Sequence, residues 1–188
     1  MVEVPLSLCP PTEPSLFEVS KVAQGMTHAT GDIRDYATVL MQMQSFKPEI
    51  VFHMAAQPLV RLSYQQPVET YSTNVMGTVH VLEAARYSGS VKALVNITTD
   101  KCYENREWVK GYREDAPMGG HDPYSSSKAC AELVSAAYRK SFLKEANIAI
   151  ATARAGNVIG GGDWAKNRII PDIVRALQND QEIVAWMV

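Results

Sequence analysis

An almost wholly apolar stretch runs Ile50-Val51-Phe52-His53-Met54-Ala55-Ala56. A continuous pattern of this kind is typical of a β-strand covered on both faces, because neither row of its side chains meets water. Residues 91–97 and 148–153 repeat the pattern, and a helical segment precedes each of them. Strands that alternate with helices pair in parallel through right-handed crossovers. The sequence therefore predicts an α/β fold with an open, doubly wound parallel sheet.

Apolar residues at three- and four-residue intervals mark the helices between these strands. Asp35 is expected to cap a helix that ends near Phe46. Longer helices are predicted over residues 67–87, where Gly89 supplies a left-handed cap, and over residues 124–143. The last of these is expected to bury the stripe Cys130, Leu133, Val134, Ala137 and Tyr138.

Other segments carry weaker patterns. Strands are predicted at residues 2–8, 27–30 and 181–185, and helices at residues 15–23 and 171–178. In an open parallel sheet the ligand crevice lies at the carboxyl ends of the strands. Functional residues are therefore expected within residues 55–57, 98–101 and 157–162.

Composition excludes several classes of protein. The 188 residues include 18 Lys and Arg, 20 Asp and Glu and 46% apolar residues, the balance of an ordinary globular domain. A net charge of −2 without a basic stripe gives no footprint for nucleic acid, and no apolar run approaches the ~18 residues that cross a bilayer. The four histidines and three cysteines lack metal-binding spacing, so no metal site is predicted. The odd, scattered cysteines favour a reducing compartment, and we expect a cytoplasmic protein.

Tyr124 and Lys128 stand four residues apart in a predicted helix, so they share one face of it. Lys128 lies about 200° from Cys130 and hence away from the apolar stripe. Two interpretations remain open. The pair is either a solvated tyrosine and lysine or a chemical unit, since a nearby ammonium lowers the pKa of a phenol toward that of a general base.

Four ordered motifs resemble the extended short-chain dehydrogenase/reductase superfamily. They are Asp32-Ile33, the strand end His53-Met54-Ala55-Ala56, the strand-end Thr99, and Tyr124-Ser125-Ser126-Ser127-Lys128. Within the superfamily the chain is most similar to CDP-glucose 4,6-dehydratases, through residues 94–103 and 155–164. Asp100-Lys101 stands where dTDP- and GDP-sugar dehydratases usually carry Asp-Glu, which favours the CDP-sugar branch. The resemblance runs from about Pro14 to Ala185.

The resemblance implies an NAD-dependent carbon–oxygen lyase that dehydrates a nucleotide sugar, in deoxysugar and lipopolysaccharide O-antigen biosynthesis. Tyr124 would remove the proton of the C4 hydroxyl, while Lys128 holds the cofactor ribose and lowers the pKa of the tyrosine. Thr99 would hydrogen-bond the C4 oxygen. Asp100 would protonate the departing C6 hydroxyl, and Lys101 would remove the C5 proton if its own pKa is depressed.

The same resemblance implies ligand contacts. Cofactor contacts would be Asp32, Ile33, Ala55, Ala56, Gln57, Tyr124 and Lys128, and substrate contacts would be Thr99, Asn157 and Arg168. Three of these residues have plain structural alternatives: Asp32 as a turn cap, Asn157 as a bridge within a loop and Arg168 as a solvated charge. Asn74 is expected to tie strands together rather than bind a ligand.

The chain departs from the family where the cofactor diphosphate binds. A Rossmann-type domain cradles that group on closely spaced glycines after its first strand, but the first glycine here is Gly25, and residues 2–8 match the second strand. We therefore expect a partial Rossmann-type sheet that lacks the first strand and most of the C-terminal lobe. Residues 1–180 would form a truncated NAD-binding domain, and residues 181–188 would begin the substrate lobe.

For this chain alone the prediction is weak NAD binding and little turnover, whereas full-length family members are expected to be homodimers. Two other functions remain open. An epimerase or reductase of the superfamily would keep Tyr124 and Lys128 without needing Asp100 as an acid. A non-catalytic remnant would dimerise through the Tyr124 helix and convert no nucleotide sugar.

Overall fold

The structure is a computed structural model that describes residues 12–183. Within that range, helices alternate with three strands. The helices are α1 (Leu16–Val19), α2 (Tyr36–Phe46), α3 (Val60–Gln65), α4 (Pro67–Tyr71), α5 (Gly77–Ser88), α6 (Pro123–Tyr138) and α7 (Ile169–Gln178), and the strands are β1 (Ile50–His53), β2 (Ala93–Thr99) and β3 (Ala149–Ala155). Single π-helical turns, Ser72–Met76 and Arg139–Leu143, join α4 to α5 and extend α6.

The three strands form one parallel sheet in the order β1-β2-β3. Their register aligns His53 with Asn96 and Thr152. The predicted α/β fold with a parallel sheet is confirmed, although β1 ends at His53, three residues before the apolar run does. Because the strands are parallel, their carboxyl ends meet at one edge of the sheet.

Helices α5 and α6 cover one face of the sheet, and α2 packs against α5. Leu82 of α5 and Leu94 of β2 are fully buried in the core between these layers, where each leucine side chain contributes about 2 kcal/mol. On the other face, the side chains of Ile50 and Phe52 are 61% and 62% exposed. Along β3, exposed side chains alternate with half-buried ones. The apolar runs predicted that both faces of the sheet are covered. Within residues 12–183 this is not the case, because the helices that pack on the sheet there lie on the same face.

The helix predicted over residues 67–87 is present, with a π-helical turn between α4 and α5. Gly89 ends it at φ +74°, as expected for a left-handed cap. At the start of α5, a Cβ on Gly77 would overlap the buried Ile33 side chain, so glycine lets the two segments approach. The sequence prediction missed α3, a six-residue helix after β1.

Helix α6 buries a polar face, and the predicted apolar stripe is wrong. Leu133 is 59% exposed, and the other members of the stripe are exposed or half-buried. The facing strand β2 is polar toward its carboxyl end: Asn96 donates to the Ser135 hydroxyl at 3.0 Å, and Thr98 donates to the Glu132 carboxylate. Hydrogen bonds across this interface satisfy the buried polar groups.

The weaker predictions had mixed outcomes. Asp35 caps α2, as predicted, by accepting from the Thr38 N–H at 3.3 Å. Residues 27–30 form no strand, because no strand of the described sheet pairs with them. The helix predicted at 15–23 is limited to α1, and the one predicted at 171–178 begins two residues earlier. The strand predicted at 2–8 lies outside the described residues. Of the strand predicted at 181–185, residues 184–185 also lie outside them, and residues 181–183 are irregular.

Candidate active site

A cleft of about 920 Å³ opens at the carboxyl ends of the strands. Its walls come from the loops after β1, β2 and β3 and from the start of α6 and α7. Seven of the predicted site residues line it: Ala56, Thr99, Lys101, Tyr124, Lys128, Asn157 and Arg168. The parallel topology thus assembles residues that are scattered along the sequence.

Tyr124 enters the cleft from the first turn of α6. Pro123 begins that helix, and the Asp122 carboxylate caps it by accepting from the Ser125 N–H at 3.0 Å. The Tyr124 side chain is buried, with its phenol next to the Thr99 side chain. The phenol therefore reaches the end of β2, the contact on which an enzymatic interpretation depends.

A tight turn at Gly120 fixes where α6 begins. Gly120 has φ of +120°, a conformation that side-chain-bearing residues rarely adopt. A Cβ there would lie 2.5 Å from the Ser126 nitrogen and 2.7 Å from the Ser125 carbonyl carbon, both backbone atoms. Glycine at this position therefore lets the chain turn directly into the helix that carries Tyr124.

Burial raises the pKa of Tyr124, contrary to the prediction that Lys128 lowers it. The hydrogen bond with Thr99 and the charge of Arg168 lower this pKa, while the charges of Asp100 and Asp122 raise it. Arg168 is therefore the cation that contributes most to lowering the pKa of Tyr124, and so to favouring the phenolate.

Lys128 lies in the wall of the cleft. It is only 8% exposed, and its Nζ donates to the backbone carbonyl of Ile97 at 3.1 Å. Burial lowers the pKa of the Lys128 ammonium to about 8, because a charge withdrawn from water is disfavoured. Burial and the Lys128 charge together lower the pKa of His53 to about 3. The interpretation of Tyr124 and Lys128 as a solvated pair is wrong.

Residues 99–101 form the turn that ends β2. The Thr99 hydroxyl donates to Asp100 Oδ1 at 3.2 Å and accepts from the Lys101 N–H at 3.3 Å. The Lys101 residue is exposed and lines the cleft. The side chains of a threonine, an aspartate and a lysine thus lie within one turn at the end of β2, residue types that take part in proton transfer.

Five predicted site residues are not among those that line the cleft: the cofactor contacts Asp32, Ile33, Ala55 and Gln57, and the catalytic residue Asp100. Asp32 Oδ1 accepts from the Arg34 N–H at 2.9 Å, and its carboxylate also pairs with the Arg34 guanidinium. The bonds with Arg34 hold the pKa of Asp32 below its usual range. Ile33 and Ala55 pack in the hydrophobic core. Asp32 therefore serves as a turn cap, and its cofactor role stays a prediction.

Gln57 and Asn74 fasten the loop after β1. The buried Gln57 amide donates to the Leu59 carbonyl at 3.1 Å and to the Thr70 hydroxyl at 2.9 Å. Asn74 accepts from the Gln57 N–H at 2.8 Å and donates to the Gln57 carbonyl at 3.0 Å and to the Ser127 hydroxyl at 2.9 Å. Asn74 thus has a structural role, as predicted, but it ties the loop after β1 to α6 rather than strands to each other.

The opposite wall of the cleft carries two arginines. Arg168 stands at the N-cap position of α7 without a capping bond from its side chain, and its guanidinium pairs with Asp163 at 3.1 Å. Arg61 donates to the Asn167 side chain at 3.4 Å, and no motif in the sequence marked it. Asn157 is exposed at the rim. The predicted solvated state of Arg168 is therefore wrong, since the guanidinium is half-buried and paired.

Few side chains in the described part of the chain could serve as a reactive thiol or as metal ligands. Cys102 is fully buried, and burial raises the pKa of its thiol to about 11. Over residues 12–183, His, Cys, Asp and Glu nowhere gather in threes as metal ligands. The helices in that range are too short or too polar to cross a membrane.

The family model described as GDP-mannose 4,6 dehydratase matches residues 15–186. The chain belongs to this family. Among its relatives in the dehydratase family is the CDP-glucose 4,6-dehydratase of Salmonella typhimurium strain LT2, 62% identical over 179 residues, which cover 93% of this chain and 50% of the relative. A human dTDP-D-glucose 4,6-dehydratase is 32% identical over 81% of this chain and 41% of its own length. The chain spans about half the length of the curated relatives it matches.

Solved structures of dehydratases and epimerases share the fold of this family member. A dTDP-glucose 4,6-dehydratase from Streptomyces venezuelae with NAD bound is 26% identical, with a TM-score of 0.75 over 86% of this chain and 48% of that one. A Bacillus cereus UDP-glucuronic acid 4-epimerase, 20% identical, has the same fold with a TM-score of 0.80 over 97% of this chain and 56% of its own. The predicted partial Rossmann-type fold is confirmed.

One buried cluster in this dehydratase-family chain went unpredicted. Glu132, one helical turn beyond Lys128, pairs with Arg154 of β3 at 3.0 Å, and both side chains are largely buried. The four-residue spacing from Lys128 was the only sign of it in the sequence. Its partners come from two other elements, which only the fold brings together.

Proposed function

We propose that this protein is an NAD-dependent nucleotide-sugar 4,6-dehydratase, a carbon–oxygen lyase, with CDP-glucose as its substrate. The observation that carries the proposal is that Tyr124 lies beside Thr99 in the cleft, and that the hydroxyl of this threonine is bonded to the Asp100 carboxylate. The 62% identity with the Salmonella CDP-glucose 4,6-dehydratase supports the choice of base and sugar. A homodimer and a cytoplasmic location belong to the same proposal, and the division of the chain at residue 180 stays a prediction.

The donor set of the cleft suits a nicotinamide cofactor. Lys128 has three N–H donors and gives one to the Ile97 carbonyl, which leaves donors for the hydroxyls of a ribose. Met54, Ala56 and Pro58 add apolar surface against which a flat aromatic ring can pack. If NAD is bound there, it would supply the acceptor for the hydride of C4 and the source of the hydride that enters at C6.

In the first half of the proposed reaction, Tyr124 takes the proton of the C4 hydroxyl while Thr99 hydrogen-bonds the same oxygen. Tyr124 must be a phenolate for this step, although burial and the Asp100 charge raise its pKa. The Thr99 hydroxyl and the charge of Arg168 act in the opposite direction, lower this pKa and so favour the phenolate.

In the second half, the C4 ketone acidifies the C5 proton, which Lys101 removes. Asp100 gives its proton to the departing C6 hydroxyl, which leaves as water. The hydride taken from C4 then enters at C6 and a proton returns from Lys101 to C5, so no net reductant is consumed. Without substrate, the Thr99 hydroxyl donates to Asp100 Oδ1. When the sugar is bound, this hydroxyl turns to the C4 oxygen and releases that carboxyl oxygen. Asp100 and Lys101 are adjacent on one turn, which suits the removal of groups from neighbouring carbons.

The test incubates the complete natural polypeptide that contains this sequence with CDP-glucose and NAD in D₂O. The expected product is a 4-keto-6-deoxy sugar nucleotide that has lost one water and carries deuterium at C5. A folded Lys101→Met variant should no longer exchange the C5 proton. A product with the mass of the substrate would indicate epimerisation, and no conversion of any nucleotide sugar would overturn the proposal.

A further inference from the structure

A buried network holds together the elements that carry Tyr124 and Thr99. Glu132, on the same helix as Tyr124, accepts four hydrogen bonds from two strands. The donors are the hydroxyls of Thr98 and Thr152, the latter at 2.9 Å, and the Nε and Nη2 of Arg154, both at 3.0 Å. A carboxylate offers about four acceptor sites, so this one is fully used.

Arg154 extends the network beyond the sheet. Its Nη1 donates to the Tyr103 hydroxyl at 2.8 Å and to the Glu114 carbonyl at 3.0 Å, and its guanidinium lies 4.9 Å from the centre of the Tyr103 ring. Tyr103 directly follows the turn that carries Asp100 and Lys101. The network therefore joins α6, the ends of β2 and β3, and the chain just beyond that turn.

We propose that Glu132 and Arg154 are positioning residues, which fix α6 against β2 so that Thr99 reaches Tyr124. Glu132 holds Thr98, the residue immediately before Thr99, and about two turns of unbroken helix separate it from Tyr124. Without the Glu132 carboxylate, the end of β2 loses its anchor on α6. The catalytic meaning of the pair rests on the proposed function, but the positioning itself is a property of the folded chain.

Replacing Glu132 by Gln acts on Tyr124 in two ways of opposite sign. The hydrogen bond with Thr99 lowers the pKa of Tyr124, so losing that bond raises it. Removing the Glu132 charge, and leaving Arg154 uncompensated, lowers the pKa of a phenol. A higher pKa of Tyr124 in Glu132→Gln therefore indicates that Thr99 has moved away from the phenol. A lower pKa indicates only the change of charge. The other charged groups around Tyr124 stay the same in all variants: Asp100, Asp122, Arg168 and, on its own helix, Lys128.

The experiment follows the titration of Tyr124 by NMR in the 188-residue chain labelled with ¹³Cζ-tyrosine. A Tyr124→Phe variant assigns the signal. Thr99→Val and Glu132→Gln are each expected to raise the pKa of Tyr124 by about half a unit to one unit, the value of one hydrogen bond. In the Thr99→Val background, Glu132→Gln should cause no further rise, because Glu132 acts through Thr99.

A pKa of Tyr124 that falls or does not move in Glu132→Gln overturns the proposal. If that variant does not fold, Thr98→Val takes its place, since it removes one donor and keeps the ion pair, and the same sign is expected. The control is Glu49→Gln, which breaks an exposed ion pair with Lys92 far from α6 in sequence and should leave Tyr124 unchanged. The measurement follows the pKa of Tyr124 and not the conversion of a nucleotide sugar, so it tests the positioning role even if the proposed activity is absent. The two proposals can therefore fail independently.

Discussion

Lys128 donates from its Nζ to the backbone carbonyl of Ile97, so the ammonium of the cleft is anchored on the central strand of the sheet. The anchor keeps the charge in a buried position, where its pKa falls to about 8. The Lys128 ammonium in the wall of the cleft therefore loses its charge near pH 8, where the folded protein can be studied. This makes Lys128 a source of pH-dependent stability.

Replacing Lys128 by Met should remove a rise of stability with pH. The unfolded chain has a lysine pKa near 10.5, so between pH 8 and 10.5 it binds more protons than the folded chain, and the free energy of unfolding increases with pH. Over that window the unchanged protein should gain about 3 kcal/mol relative to Lys128→Met. Urea denaturation at fixed pH measures it. The exposed Lys92→Met control should follow the unchanged protein, and parallel curves for all three would contradict the prediction.

His53 should make the fold sensitive to acid. Its Nε2 lies 3.1 Å from the Thr78 hydroxyl, and its pKa of about 3 is far below the 6.5 of an unfolded histidine. Between these values the unfolded chain binds the proton and the folded chain does not, so stability falls with decreasing pH by up to about 1.4 kcal/mol per unit. Chemical denaturation from pH 7 to 4 should show a shallower fall in His53→Gln. The exposed His121→Gln should match the unchanged protein, and an equally steep fall in His53→Gln would contradict the assignment.

Gly120→Ala should destabilise the start of α6. The new Cβ would meet backbone atoms of Ser125 and Ser126 in a positive-φ conformation, which together cost about 3 kcal/mol or more. The matched control is Gly111→Ala, where a Cβ has open space and φ is not positive, and its stability should stay within about 0.5 kcal/mol. Thermal and urea denaturation compare the two. Equal stability of both variants would mean that the turn at Gly120 can relax.

Two substitutions of Asp122 should separate its cap from its charge. Asn keeps a side-chain oxygen for the Ser125 N–H, so Asp122→Asn should retain most of the stability that Asp122→Ala loses, about 1 kcal/mol. Both variants remove a negative charge that raises the pKa of Tyr124, so both should lower that pKa. Thermal denaturation and the ¹³Cζ titration measure the two effects. A lowered pKa in Ala alone would show that the cap, not the charge, acts on Tyr124.

The sheet and the gathering of residues at its edge could be predicted from sequence. Apolar runs such as 148–153 locate strands directly, and parallel pairing then places Thr99 and Asn157 at one edge whatever the details of packing. Coverage of the sheet could not be predicted. An apolar run shows what a strand can bury, whereas the exposure of Ile50 and Phe52 depends on which segments pack there.

The orientation of α6 escaped the sequence for a different reason. Counting apolar residues assigns the buried face to Leu133, but Glu132 and Ser135 are buried because β2 and β3 offer them partners. Those partners are distant in sequence, so periodicity holds no information about them. The same holds for the pKa of Tyr124, since Arg168 and Asp100 approach it only in the folded chain.

The polar interface between α6 and the sheet has a mechanical consequence. Contacts between aliphatic groups change little when one surface slides a few tenths of an ångström over another, whereas hydrogen bonds weaken steeply with distance and angle. An interface made only of aliphatic side chains would allow several alignments of the helix on the sheet with similar energies. Here a sideways step of the helix would orphan Asn96, Thr98 and the Lys128 ammonium at once. The catalytic groups proposed for one end of the helix are thus held in a single alignment by side chains at its middle.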